Sequence, residues 1–361
     1  MTEPLLVADP VLPAEPLRLA VVGAGLIGRE HAQRILDRQD MELSFLVDPF
    51  VDAKDHPFAG RTTLVADLAE ALPHVDGAIL ATPNHLHESG ALSCIDAGVP
   101  VLVEKPLADT PQAAERIVTA GESRGVPVLV GHHRRYSPLL EKAVEAISAG
   151  VIGRPVAVMG SALFSKPDAY FDAAPWRQQA GGGPILINLI HDMDNLRALC
   201  GEIVRVQATS SNQARGFEVE DTAALTLTFA NGALGTFIVS DSAASARSWE
   251  QTARENPSYD FADDEDCYHL AGTRGSISVP TLRVRSYEGE ASWWEKSAVT
   301  SLNARREDPL VRQLEHFGQV IRGQAQPRVT ARDGLQSLRV VLAVAESART
   351  GLPVDIPVYT D

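Results

Sequence analysis

Residues 17–28 read LRLAVVGAGLIG, an apolar run that ends in Gly23-Ala24-Gly25-Leu26-Ile27-Gly28. An amphipathic stretch, 29–36, follows at once. A strand that breaks at the first glycine and a helix that opens at the third form the strand–turn–helix frame of a dinucleotide-binding loop. Gly23 allows the tight turn, Gly25 lets the backbone approach a pyrophosphate, and Gly28 permits close packing of helix on strand. Leu26 and Ile27 fall on the helix N-terminus, whose free N–H groups and positive dipole end suit phosphate. Alone, the pattern also describes an ordinary glycine-rich turn. Its second half is an acid closing the next strand: Asp48 follows the run 43–47 and lies 20 residues beyond Gly28. A carboxylate there accepts hydrogen bonds from ribose hydroxyls and repels a 2′-phosphate. The first base beyond it is Lys54, so NAD is expected over NADP.

The chain has 361 residues, enough for two domains, with 45% hydrophobic and 22% charged content. A net charge of −15 argues against a nucleic-acid partner, which requires a basic face. Three separated cysteines suggest neither a disulfide framework nor a metal cluster, and fit a reducing, cytoplasmic setting. No metal site is expected. Residues 1–16 hold four prolines and no basic start, and read as a flexible leader rather than a signal peptide. No apolar stretch is long enough to span a membrane.

Up to about residue 130, strands expected near 17–22, 43–47, 77–81, 100–103 and 127–130 alternate with helical stretches such as 87–97 and 111–121. That alternation predicts βαβ units and a parallel sheet over 17–131. From about 152 the pattern becomes β-rich, at 154–164, 203–210, 222–230, 233–240, 276–279 and 282–287, with Asn231-Gly232 as a hairpin turn. The fold class is therefore α/β: a Rossmann-type parallel sheet, then an α+β unit over 132–361 with a mainly antiparallel open sheet. The closing helix, 333–350, is expected to pack back on the first unit. The polar segment 241–267 reads as a long loop or lid.

Several strand ends carry chemistry. In Ala81-Thr82-Pro83-Asn84-His85-Leu86-His87, Thr82, Asn84 and His87 stand where open α/β sheets bind ligands, though Asn84 equally suits a helix cap. Glu104-Lys105-Pro106 places a charged pair at the end of a buried strand, and Lys105 is suited to stabilise alkoxide character on a substrate oxygen. Gly131-His132-His133-Arg134-Arg135 concentrates donors at the domain junction, where pockets tend to lie. His133 and Arg134 are the substrate candidates there, and neighbouring histidines in extended chain face opposite ways. After Gly181-Gly182-Gly183, Asn188, His191 and Asp194 recur three apart and can share one helix face. His191 has the range of a general base, but an apolar helix also suits a buried structural histidine. Trp176, beside Arg177, fits either a stacking platform or a core.

Taken in order, GAGLIG, TPNHLH, EKP, GHHRRYSP, Pro175-Trp176-Arg177, GGG…H-x-x-D and the closing helix resemble the glucose-fructose oxidoreductase/inositol dehydrogenase family over about 17–357. The resemblance implies hydride transfer from a secondary alcohol of a sugar, cyclitol or similar polar ring to NAD. A dihydrodiol dehydrogenase or reductase of the same fold, or a silent NAD-binding regulator, is the alternative. It further implies Lys105 as the lysine of EKP, His191 as proton acceptor, and a homodimer or homotetramer joined through the open sheet. Glu104 and Lys105 would border the cofactor, and Asn188 and Arg177 the substrate. One position departs: many members carry an aspartate four residues before the histidine, and here that residue is Ile187.

Overall fold

A computed structural model describes residues 15–50 and 57–358. The expected leader lies almost wholly outside the described residues.

Six strands form the first sheet: β1 (Leu17–Val22), β2 (Met41–Val47), β3 (Thr63–Val65), β4 (Gly77–Leu80), β5 (Val101–Val103) and β6 (Val128–Val130). All pair in parallel, in the order β3-β2-β1-β4-β5-β6. Helices cover both faces, so the central strands are buried on both sides and read as unbroken apolar runs. β3 was not anticipated; only three residues long, it offers too short a pattern. Strand order reverses at β1 and β4, which opens a crevice at their carboxyl ends.

The second sheet contains β7 (Pro155–Leu163), β8 (Ile203–Ser211), β9 (Thr222–Phe229), β10 (Leu234–Ser240), β11 (Tyr268–Gly272), β12 (Gly275–Val279), β13 (Arg283–Ser286), β14 (Ala298–Ser301) and β15 (Val354–Asp355). Its order is β14-β13-β12-β11-β7-β10-β9-β8-β15, antiparallel except between β7 and β10. Asn231-Gly232 turns β9 into β10, with Gly232 at φ +87° and Asn231 accepting the Ala233 N–H. One face packs on helices, including Ala331–Thr350 against β8. On the other face Met159 and Leu234 are exposed.

Helix Ala331–Thr350 begins with a capping box between Thr330 and Asp333 and ends at left-handed Gly351. It also lies against β6 and helix Pro111–Arg124, and the Val130 N–H donates to Val329 O. Segment 241–267 is more ordered than a lid: it contains helix Trp249–Ala253, with Ser248, Trp249 and Thr252 buried. The three cysteines are buried and free. No helix among the described residues is long and apolar enough to cross a membrane.

Candidate active site

Because β1 to β6 run parallel, the segments at 23–28, 48, 81–87, 104–106 and 131–136 all emerge at one edge of the sheet. Gly23 has φ +98°, and a Cβ there would stand 2.6 Å from Ala81 O. A Cβ on Gly28 would lie 1.9 Å from Gly23 O. Neither position tolerates a side chain. A Cβ on Gly25 would meet nothing within 4 Å, so that backbone faces open space at the start of helix Leu26–Leu36. Asp48 holds this loop from the next strand: Oδ2 accepts the Ala24 N–H at 2.8 Å and Oδ1 the Phe50 N–H at 2.9 Å.

A cleft of about 990 Å³ runs over these groups, bounded by Gly23, Gly25, Asp48, Thr82 and Leu86, with Trp176 on its wall. An open glycine backbone, a helix N-terminus and an oriented carboxylate fit a dinucleotide. Trp176 is 55% exposed, so it is not a core residue.

His87 and Glu104 are placed differently from expectation. Asn84 is exposed on a short turn at the cleft's rim, where Thr82, Pro83 and Leu86 form the wall. His87 is fully buried, with Nδ1 2.8 Å from Pro106 O and Nε2 2.9 Å from Thr82 O. One ring nitrogen donates to a carbonyl, and both face backbone between two strand-end loops rather than the cleft. Glu104 is buried against His31, Oε1 to Nε2 2.8 Å. Burial opposes its charge, yet the His31 hydrogen bond holds its carboxyl below the ordinary range. Nothing in the spacing of His31 announced that partner.

Lys105 reaches away from this pair. Its Nζ donates to Ile187 O at 3.0 Å, at the break between helices Pro184–Ile187 and Leu189–Cys200. Burial, partly offset by Glu104, draws its ammonium down to about 8. His191 follows one turn on, with its ring 5.0 Å from that of His133 and 5.9 Å from that of His132. Burial, reinforced by the Lys105 charge, holds His191 well below the usual histidine range, so it is neutral at neutral pH. Its Nδ1 is buried without a protein partner. The helix break at Asn188 separates the three residues expected on one face. Asn188 turns to Lys166, with Oδ1 accepting from Nζ at 2.8 Å, while Asp194 turns inward to Ser337 at 3.0 Å.

Arg134 is a strut rather than a substrate ligand. It is 3% exposed, with Nη1 on Asp192 at 3.0 Å and Nη2 on Glu250. Tyr268 also donates to Asp192. The network joins the loop after β6, the His191 helix and segment 241–267. Burial, opposed by Arg134, raises the Asp192 carboxyl to about 6. Residues missed from sequence include Lys166 and Tyr170, four apart on the stretch after β7, and Glu250, far from both in the chain.

Comparison with known proteins agrees with this geometry. Residues 17–132 match the oxidoreductase family with an NAD-binding Rossmann fold, and residues 140–278 match the GFO/IDH/MocA C-terminal domain. The chain belongs to the GFO/IDH/MocA family. It is 28% identical to a 1,5-anhydro-D-fructose reductase of Ensifer adhaerens over 94% of this chain and 98% of that protein. It is 27% identical to the scyllo-inositol 2-dehydrogenase (NAD(+)) of Bacillus subtilis, over 95% and 97% of the two chains. Among solved structures, the WlbA dehydrogenase of Bordetella pertussis, in complex with NADH and UDP-GlcNAcA, superposes with a TM-score of 0.75 at 25% identity. That match covers 96% of this chain and 100% of the other. The chain is thus an NAD-binding oxidoreductase.

Proposed function

We propose that this enzyme oxidises a secondary alcohol on a sugar, cyclitol or related polar ring, using Lys105 and His191 as its acid–base pair. The observation that carries the reading is their meeting at the Ile187–Leu189 break, beside a cleft fit for a dinucleotide. Gly23, Gly25, Gly28 and Asp48 hold the cofactor, which when bound supplies the hydride acceptor. The substrate hydroxyl lies against neutral His191, which takes its proton. The Lys105 ammonium donates to the same oxygen and stabilises the charge that develops as the proton leaves. Ile187 contributes its carbonyl alone, which orients Lys105 without sharing a proton. The apolar residues on the open face of the second sheet support assembly into a homodimer or homotetramer through that face. The test is reduction of NAD+, followed by absorbance, across a panel of polyols, sugars and dihydrodiols. Reduction by a polyol or sugar, lost in Lys105→Ala, is expected; reduction by dihydrodiols alone would overturn the substrate class.

A further inference from the structure

A group of cations behind Lys105 has no role in the proton chemistry. Lys166 Nζ, bonded to Asn188, also stands 3.4 Å from Asp241 Oδ2 and 4.9 Å above the Tyr170 ring. The Arg177 guanidinium lies 3.8 Å over the same ring, with Nη1 donating to Tyr170 O at 2.6 Å. Its Nε is buried without a partner, and among the described residues it forms no ion pair. Arg215 binds Asp241 at 3.0 Å and reaches Asp168 at 3.6 Å, a carboxylate whose side chain is 95% exposed. Lys105 contacts a carbonyl rather than a carboxylate through Nζ.

Lys166 and Arg215 thus share Asp241, and Arg177 beside them has no carboxylate partner among the described residues. Nearby Glu220, which accepts the Ile185 N–H, is pushed upward by burial and compensates less than a free carboxylate would. This excess stands out in a chain whose net charge is −15. Buried cations without counter-ions are unfavourable, and a guanidinium with a free Nε edge matches the two oxygens of an anionic group. Trp176, which borders the dinucleotide cleft, has its ring 5.7 Å from the Arg177 guanidinium, so the cation group lies next to the cofactor's wall.

We propose that the substrate is an anionic sugar or cyclitol, bearing a carboxylate or phosphate, whose charged group is bound by Arg177 and Lys166 while its carbinol meets Lys105 and His191. The proposal rests on the dehydrogenase reading above and adds to it the substrate's charge. It makes Arg177 and Lys166 specificity residues and leaves proton transfer to the pair already described.

The experiment uses the full chain saturated with NAD+. Binding of D-glucuronate, D-glucose 6-phosphate and D-glucose is measured by titration calorimetry, and NAD+ reduction is followed with the same three compounds. At least one anionic sugar is expected to bind tenfold or more tightly than glucose. Arg177→Gln should remove that preference, and Arg177→Lys should restore part of it. Should Arg177→Gln fail to fold, as judged by circular dichroism, Lys166→Gln serves the same comparison. The glucuronate and glucose 6-phosphate arms separate a carboxylate from a phosphate subsite. Equal binding of all three, binding of none, or equal losses for charged and neutral sugars in the variants would overturn the proposal. Preferential binding without reduction would leave the anion subsite standing and count against the dehydrogenase reading. Reduction by glucose alone would do the reverse.

Discussion

The dinucleotide cleft and the pocket around Lys105 are neighbours built from different materials. In the cleft, backbone does most of the shaping: Gly23 and Gly28 have no room for a Cβ, and Gly25 leaves open space. The pocket is shaped by side chains from distant segments, with Lys105, Lys166, Tyr170, Arg177, Asn188 and His191 spread over 87 positions. A backbone site needs particular residues at fixed spacing, because the turn dictates them. A side-chain site needs only that a tertiary fold bring suitable groups together. The cleft should therefore fail abruptly on steric change, and the pocket by graded loss of rate.

The largest effect should come from Gly28→Ala. Its Cβ would stand 1.9 Å from a backbone oxygen that cannot rotate away. The cost is expected at or above the roughly 1–3 kcal/mol of ordinary overpacking. NAD+ binding should become unmeasurable and the thermal midpoint should fall. Gly25→Ala should lose NAD+ affinity with an unchanged midpoint, since its Cβ meets no protein atom. Equal midpoints for both variants, from thermal melts without nucleotide, would break the contrast.

Next come the pocket residues. His191→Ala should cost roughly 10²–10⁴-fold in kcat, the span of general-base removal. Lys105→Ala should lose roughly 10²–10³-fold, as for a donor aimed at developing negative charge. NAD+ affinity in His191→Ala should stay within a few-fold of wild type, because His191 lies on the helix after the break, away from the cleft wall. Turnover of His191→Ala near the wild-type rate would show that it is a structural histidine.

The same contrast explains what was legible in the sequence. Gly23, Gly25, Gly28 and Asp48 announced the nucleotide half because their spacing is imposed by one turn and two strands. Lys105 and His191 were visible through ordered motifs. Lys166, Tyr170 and Glu250 were not, since each is an ordinary surface-type residue until the fold closes around it. Arg134 misled for the opposite reason: a basic residue at a junction suggests a ligand, but Asp192 and Glu250 occupy it. His87 misled similarly, because its ring is buried between two backbone carbonyls. β11 was hidden behind the acidic stretch 260–266, which made the region read as loop.

A smaller effect concerns pH. Lys105 is drawn from 10.5 to about 8, so its charge is present below that pH and lost above it. The rate constant kcat/KM should fall tenfold per unit above about pH 8, and Lys105→Arg should carry the alkaline limb upward. Stability moves in the other direction. Between about 8 and 10.5 the unfolded chain binds more protons at this lysine than the folded one, so its contribution to stability rises with pH. An alkaline limb unchanged in Lys105→Arg would assign it to another group.

The smallest effect is expected at Asp48, the side chain on which the backbone-built site depends. Its two oxygens hold the Ala24 and Phe50 N–H groups. Asp48→Asn keeps one acceptor oxygen and turns an amide NH₂ toward the other donor. Hydrogen bonds to charged groups are worth about 1.5–3 kcal/mol against about 1 kcal/mol for neutral ones. The variant should therefore lose about 5–20-fold in NAD+ affinity, with the glycine loop still formed, because Gly23 and Gly28 fix it sterically. NADP+ should lose less or gain, since the charge that repels its 2′-phosphate is gone. Nucleotide titrations by protein fluorescence measure both. If NAD+ and NADP+ affinities fell by the same factor, Asp48 would be a brace for the glycine loop and not a reader of the ribose, and the cleft would be a backbone site throughout.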